Sequence, residues 1–559
     1  MQNEIKNSEA LLPPRVLSAP PPYPSGDPVI TPSLSNHTRF STRRIALALA
    51  IAGISDLISA FANFAPPIEW PVDLATALLL FMALGWHWIL LPALIMEAIP
   101  GVGAFPFWVL VIMSIAVWGK VKREPKNVRG RVPEGSNHYI HGCIALFTLC
   151  SSPLSPSVFA SAQEWSQWRG PNRDGESTET GLLKEWPANG PALLWKSKAL
   201  GGGYGSISSS GGRLFAMGEK DGAGFLMALK QPNGELLWTT KVGKAGAPGW
   251  GGFSGPRGTP TVAGERVYAA DQWGELICVD AATGKEQWRK SYETDFSAKR
   301  PEWGFAESPL VDANRVIVTP GGSQGALVAL DLKTGTTLWR SKSFTDDAQY
   351  SSAVVAVIGN ARQYIQLTME SLVGVAAEDG RVLWQTRRKG STAVIPDPIV
   401  AGDQVYVTSG YGTGCNLFKV SRGSAFSVKQ EYANKIMVNH HGGVVKVGDY
   451  LYGYSDGKGW MCQKFQTGEE IWAEKARLKK GSICYADGML YCREEADKSK
   501  TAKGTVALLE ATPAGFREKG RFDPPDRSDM NSWSHPVIAD GKLYLRDQEV
   551  LLCYDIQAK

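Results

Sequence analysis

From residue 192 to the end of the chain, apolar residues come in runs of four to six, cut by glycine-bearing turns. One stretch reads Arg266-Val267-Tyr268-Ala269, then Leu276-Ile277-Cys278-Val279-Asp280, Thr283-Gly284-Lys285 and Trp288. The next reads Arg315-Val316-Ile317-Val318, then Leu327-Val328-Ala329-Leu330-Asp331, Thr334-Gly335 and Trp339. Runs this short, rich in β-branched and aromatic residues, predict strands joined by tight turns. The unit is an antiparallel meander of about four strands. A closing aromatic marks each unit: Trp195, Trp238, Trp288, Trp339, Trp384, Phe426, Trp472 and Phe516, at intervals of 42 to 51 residues. Four-stranded repeats of that length are propeller blades. The last unit, Leu551-Leu552-Cys553-Tyr554-Asp555, lacks the Thr-Gly turn and the tryptophan, while Ala192-Leu193-Leu194-Trp195 has no blade before it. Joining the two in one blade removes an exposed sheet edge. The pattern therefore predicts an all-β, eight-bladed β-propeller over residues 192–559, with 163–191 leading into it.

The first 162 residues have a different texture. Residues 1–42 are Pro-rich and poor in large apolar side chains, which predicts a disordered tail. Residues 43–120 hold three apolar stretches, Ile45–Phe64, Leu74–Met96 and Val102–Trp118, near the length that crosses a bilayer. We expect a small α-helical transmembrane module there. Arg39, Arg43 and Arg44 precede it, and a basic linker, 121–138, follows. Basic residues at both ends require an even number of crossings. Leu74–Met96 and Val102–Trp118 are then the crossing pair, with Ile45–Phe64, which carries Asp56, interfacial or re-entrant. Residues 139–162 have a short apolar core and end Ala160-Ser161-Ala162, the layout of a secretory signal or an uncleaved anchor. These segments predict an inner-membrane protein with its propeller on the periplasmic side.

Composition narrows the function classes. Lys+Arg number 59 against Asp+Glu 54, a net charge of +5, too balanced for nucleic acid as the main partner. Eight cysteines with no Cys-x-x-Cys pair argue against both a disulfide scaffold and a zinc site, and no metal site is predicted. Cys484 and Cys492 flank an Asp487-Gly488 hairpin turn. An odd-length loop would set them opposite each other in a strained bridge and a two-residue loop puts them out of register, so free thiols are expected, with a bridge the alternative in an oxidising compartment.

The repeat Asp-x-x-Thr-Gly-x-x-x-Trp, preceded by a Val-Tyr-Ala-type strand, resembles the pyrroloquinoline-quinone (PQQ) quinoprotein-type β-propeller. That superfamily holds quinoprotein alcohol dehydrogenases and a non-enzymatic lipoprotein of the bacterial outer-membrane barrel-assembly machine. The lead-in, Trp165-Ser166-Gln167-Trp168-Arg169-Gly170-Pro171-Asn172-Arg173-Asp174-Gly175, resembles the start of secreted propellers of this type. The resemblance implies the fold over about 163–559, and it implies that the repeat Trp and Asp hold blades together.

Chemistry in a propeller gathers where the loops entering each innermost strand converge on the central channel. Those loops offer Tyr204 and Ser206, Arg257, Trp303 and Glu307, Gln349 and Tyr350, Asp397, Asn439 with His440 and His441, Lys480, and Asn531, Trp533 and His535. The set reads either as a solvated polar funnel or as a ligand pocket. Of seven histidines three fall here. His440 and His441, if on a strand, point to opposite faces. The quinoprotein resemblance implies a quinone beneath a vicinal cysteine disulfide and above a tryptophan, with calcium held by Glu and Asn beside a catalytic Asp. Glu307, Asn439 and Asp397 are the matching residue types, and Trp303 or Trp533 the matching floor. No Cys-Cys dipeptide occurs. The expected function is a membrane-anchored binding or scaffolding propeller, without a cofactor, whose face takes a protein or peptide partner. The alternative is a PQQ- and calcium-dependent dehydrogenase.

Overall fold

The computed structural model describes residues 164–249, 251–496 and 503–558. The expected tail, transmembrane module, basic linker and signal-like segment lie outside them. Among the described residues no helix is long and apolar enough to cross a membrane.

Eight sheets, antiparallel apart from one added two-residue parallel strand, account for the described residues, with one short helix, Tyr292–Phe296, and the connecting loops. Blade one is Ser208–Ser210, Arg213–Lys220, Ala223–Lys230 and Leu236–Lys244, in sequence order across the sheet. Blades two to seven repeat that meander. In several neighbouring pairs the first strands of consecutive blades touch, so these short strands line the axis. The second and third strands are the most buried, and the fourth faces out, as Leu236–Lys244 does.

Blade eight closes the ring as the sequence implied. Ala192–Ser197 pairs antiparallel with Val550–Asp555, outside Lys542–Asp547 and Val537–Ala539. Two buried arginines bridge this seam. Arg493 of blade seven donates to the Ser534 and Arg546 carbonyls of blade eight, and Arg546 donates to the Gly205 carbonyl at the entrance to blade one.

The repeat motif ties several blades to the next, while Trp384 of blade four donates to Gln363 of its own sheet. Asp280 Oδ1 accepts hydrogen bonds from the Ala282 and Thr283 amides and the Thr283 hydroxyl, and Asp331 does the same for its turn. The turn carbonyl then accepts from the preceding blade's tryptophan. Trp238 donates to Ala281, Trp288 to Leu332, Trp339 to Ala377 and Trp472 to Thr512. Four indoles lie on the next blade's turn glycine: Gly234 under Trp195, Gly284 under Trp238, Gly335 under Trp288 and Gly380 under Trp339.

Two closing aromatics differ from the expectation. Phe426 begins its strand, and Tyr432 takes the tryptophan position, opposite Leu417 beside the bulge, with its hydroxyl on the Phe465 carbonyl and its ring on Gly468. In blade seven the position is Gly520, and Phe516 instead packs edge-on against Trp472. Trp186 of the lead-in covers Gly520, and Gly190 seats on Phe522. The strand bulge moves the closing position, so counting residues from the turn picked the wrong aromatic.

Gly284 tests this interlock. Its φ is +72° and an added Cβ would sit 2.6 Å from the Trp238 ring. Gly284→Ala is expected to cost about 2–4 kcal/mol, summing left-handed backbone strain and overpacking. Gly264, at φ +57° with open space around it, supplies the backbone term alone. Gly264→Ala should cost only about 1–2 kcal/mol. Urea midpoints of both variants check the difference. Equal losses would mean the glycine–tryptophan contact is not what the turn protects.

The Asp487-Gly488 hairpin has a two-residue turn, with Ala486 paired to Met489. Ile483 opposes Cys492 and Cys484 opposes Tyr491. The thiols therefore lie on opposite faces. Cys484 packs with Trp165 and Tyr491, Cys492 with Trp460 and Leu490. Both are free, and burial pushes both thiols well up. Peptide mass spectrometry after alkylation without reduction should find no crosslinked peptide joining Cys484 to Cys492.

Candidate functional site

The lead-in runs into the central channel and touches all eight blades. Trp165 bridges to Ser209 of blade one, and the Ser166 carbonyl accepts from Val262 of blade two. Arg173 donates to the Ser308 and Pro309 carbonyls of blade three and to the Ala353 carbonyl of blade four. Trp168 Nε1 donates to Asp397 of blade five at 2.6 Å, and Arg169 donates to the Val444 carbonyl of blade six. Glu176–Ser177 adds a parallel strand to Gly481–Ala486 of blade seven. The Trp168 ring lies 4.6 Å from that of His535 in blade eight. Arg169 and Arg173, both buried, sit at φ 60°. Their guanidinium bonds hold that strained turn in place.

Above this plug is a cavity of about 350 Å³ with Trp168 among its lining residues. That is within the size range of small-ligand sites. Of the expected residues, Arg257, Trp303, Tyr350, His440, His441, Trp533 and His535 line it. Its walls are aromatic. Trp533 packs 4.6 Å from Tyr204 and 4.9 Å from Phe253, and Trp303 pairs with Tyr350 at 6.0 Å.

Polar groups around the cavity are chained together. Asp456 pairs with Lys480 at 2.9 Å, and Lys480 Nζ donates to His440 Nδ1 at 2.8 Å. His440 Nε2 must then carry the proton, which it donates to the Tyr411 hydroxyl, also at 2.8 Å. Burial, His441 and Lys480 keep His440 neutral, lowering it to about 2. Burial and Arg169 likewise lower His535, whose Nε2 donates to the His441 carbonyl. Glu495 accepts from Trp533 Nε1 and from Asn531, and lies 3.2 Å from His441 Nε2, at ion-pair distance but off the hydrogen-bond axis. Burial opposes its ionisation, but His441, Trp533 and Lys480 outweigh that and hold it down at about 2.

His440 and His441 correct one expectation. They sit in a loop, not a strand, their rings are 4.6 Å apart, and both face the cavity. Glu307, Asp397 and Asn439 do not face it. Glu307 is buried and accepts from the Thr319 amide, and burial raises it to about 7. Asn439 is closed onto Gly443 and the Tyr454 carbonyl. Asp397 accepts from Trp168 and the Ser352 amide; burial raises it and Arg169 and Arg173 oppose the rise. The calcium set implied by the quinoprotein resemblance is thus spent on internal hydrogen bonds. Among the described residues no group of three or more His, Cys, Asp or Glu side chains could hold a metal.

The cavity also uses Trp168, Phe253 and Tyr411, with Glu495 behind its wall. Tyr411 and Glu495 follow second strands, Gln404–Ser409 and Met489–Glu494. In a meander these loops end on the same face as those entering the first strands. Reading both loop sets would have found them.

Residues 222–474 match the family model described as outer membrane protein assembly factor BamB. The outer membrane protein assembly factor BamB of Burkholderia pseudomallei is 27% identical over 210 residues, 36% of this chain and 50% of that protein. Quinohemoprotein alcohol dehydrogenase ADH IIB of Pseudomonas putida is 35% identical over 102 residues, 17% of this chain and 14% of that protein. The chain spans half or less of the length of these curated relatives. The crystal structure of quinohemoprotein alcohol dehydrogenase from Comamonas testosteroni superposes with a TM-score of 0.50 at 11% identity, covering 71% of this chain and 81% of that one. These matches agree with the repeat: the fold is an eight-bladed β-propeller of the PQQ-like type.

Proposed function

We propose that the chain is an extracytoplasmic binding propeller, held at the inner membrane by its N-terminal apolar segments. Its funnel face receives a protein partner or another ligand. The observation that carries this reading is the plug. The lead-in closes the channel and leaves a blind, aromatic funnel whose neighbouring acids and histidines are each taken up by other groups of the fold. Aromatic walls with a few fixed polar groups suit recognition. The relatives named as outer membrane protein assembly factors support a role in bringing envelope proteins together.

The quinoprotein reading rests on the match to quinohemoprotein alcohol dehydrogenases. Glu307, Asn439 and Asp397 speak against it, because calcium would have to strip each of its present partners.

A photo-crosslinking residue placed at Tyr350 or Tyr411 of the full-length chain, in its own envelope, tests the binding reading. A discrete adduct there, absent when the probe replaces the exposed outer-edge Leu338, is expected. Equal adducts at both places, or none at the funnel, would contradict it.

A further inference from the structure

The cavity has one cation in its wall that lacks a carboxylate. Arg257 donates to the Gly255 carbonyl at 3.0 Å and to the Phe253 carbonyl at 2.8 Å, which fixes the plane of its guanidinium. It lies 5.7 Å from the Tyr204 ring. Among the described residues no Asp or Glu is within ion-pair distance of it. The other cations near the channel are committed. Lys480 is held by Asp456 and His440, while Arg169 and Arg173 donate to backbone carbonyls below Trp168 and do not line the cavity. The acid whose charge reaches it, Glu219, is outside ion-pair distance and accepts from the Gly246 amide and the Ser254 hydroxyl, while Glu495, behind the cavity wall, is taken up by Trp533, Asn531 and His441.

A guanidinium carries five N–H donors, and the two carbonyls leave some of them free. Removing a cation from water costs several kcal/mol in effect unless a partner compensates it. Burial lowers Arg257, and Tyr204, Tyr350 and Glu219 offset that only in part. A planar fork with free donors matches a carboxylate in two-point contact. Flat aromatic walls at Trp303, Tyr350 and Trp533 match the face of a ring. One free cation limits the ligand to one anionic group, since a second would be buried unpaired.

We propose that the funnel binds a ring compound bearing a single carboxylate, with the carboxylate on Arg257 and the ring against the aromatic wall. This deepens the binding reading above and rests on it. The ring's source, an aromatic acid or an acidic sugar, is separated by the test.

Isothermal titration calorimetry of the full-length chain would use benzoate and glucuronate, each beside its neutral counterpart, benzyl alcohol and glucose. At least one carboxylate should bind saturably, at least tenfold more tightly than its neutral partner. Which one binds names the ring. Arg257→Gln should weaken that binding at least tenfold, and Arg257→Lys, which keeps the charge but not the fork, should fall between. Thermal melts report whether each variant folds. If Arg257→Gln does not fold, the carboxylate-to-neutral ratio on the parent chain decides alone. Equal binding of the neutral compound, or unchanged binding in folded Arg257→Gln, would overturn the anion anchor while leaving the funnel a binding site. No binding by any of the four compounds would overturn this proposal. The crosslinking result would then stand or fall separately.

Discussion

Deleting Ala192–Trp195 is expected to lower the urea midpoint sharply and to make the chain prone to aggregation. The strand is the outer edge of blade eight, and Trp195 is the indole that seats on Gly234 of blade one. Loss of that half-buried ring alone is worth about 3 kcal/mol, the low end of the range for buried tryptophans. The deletion also exposes the edge of Val550–Asp555, which is apolar and otherwise buried. Leu193 and Leu194 lie on the same strand but are 43% and 48% exposed. Changing either to glutamine should move stability by no more than about 0.5 kcal/mol. A truncated chain that unfolds at the parent's midpoint would mean the ring is closed by other contacts.

The second large effect is expected at Arg173. This side chain is 3% exposed and satisfies the Ser308, Pro309 and Ala353 carbonyls from inside the channel. Arg173→Met leaves the Ser308 and Ala353 carbonyls without a donor and the Pro309 carbonyl with the Thr261 hydroxyl alone. It also removes the positive charge that favours the ionised forms of Asp397 and Glu307. A loss of about 3–5 kcal/mol is expected. Arg173→Lys keeps the charge but is a point donor that cannot serve three carbonyls, so it should lose less. Arg381, whose side chain is 63% exposed and paired only with Asp379, is the comparison. Arg381→Met should cost about 0–1 kcal/mol. Chemical denaturation of the three variants gives the order. An Arg173→Met chain as stable as Arg381→Met would show that the lead-in rests in the channel without bracing it.

The sequence was most informative where structure is local. The Asp-x-x-Thr-Gly turn is fixed by hydrogen bonds within four residues, so its spacing was legible and gave the blade count and the closing strand. It was least informative where position depends on strand register. The bulge opposite Leu417 places Tyr432, not Phe426, against the next blade, and nothing in residue spacing reveals a bulge. Blade seven borrows Trp186 from the lead-in to cover Gly520, a contact across more than three hundred positions. The funnel was legible in part for the same reason. Residue type and loop position brought out Arg257, Trp303, Tyr350, Trp533 and the three histidines. The same criteria selected Glu307, Asp397 and Asn439, which turned inward because each had a backbone amide or carbonyl in reach to satisfy. The plug was unreadable, since Trp168, Arg169 and Arg173 acquire their roles only when the ring forms around them.

The central claim is that this propeller binds through its funnel without quinone chemistry. Titrating the full-length chain with PQQ in the presence of calcium, with dye reduction by ethanol read in parallel, tests it most directly. The account predicts no calcium-dependent uptake and no dye reduction, because Glu307, Asn439 and Asp397 are already bonded within the fold. Uptake of one quinone per chain with alcohol-dependent dye reduction would contradict it.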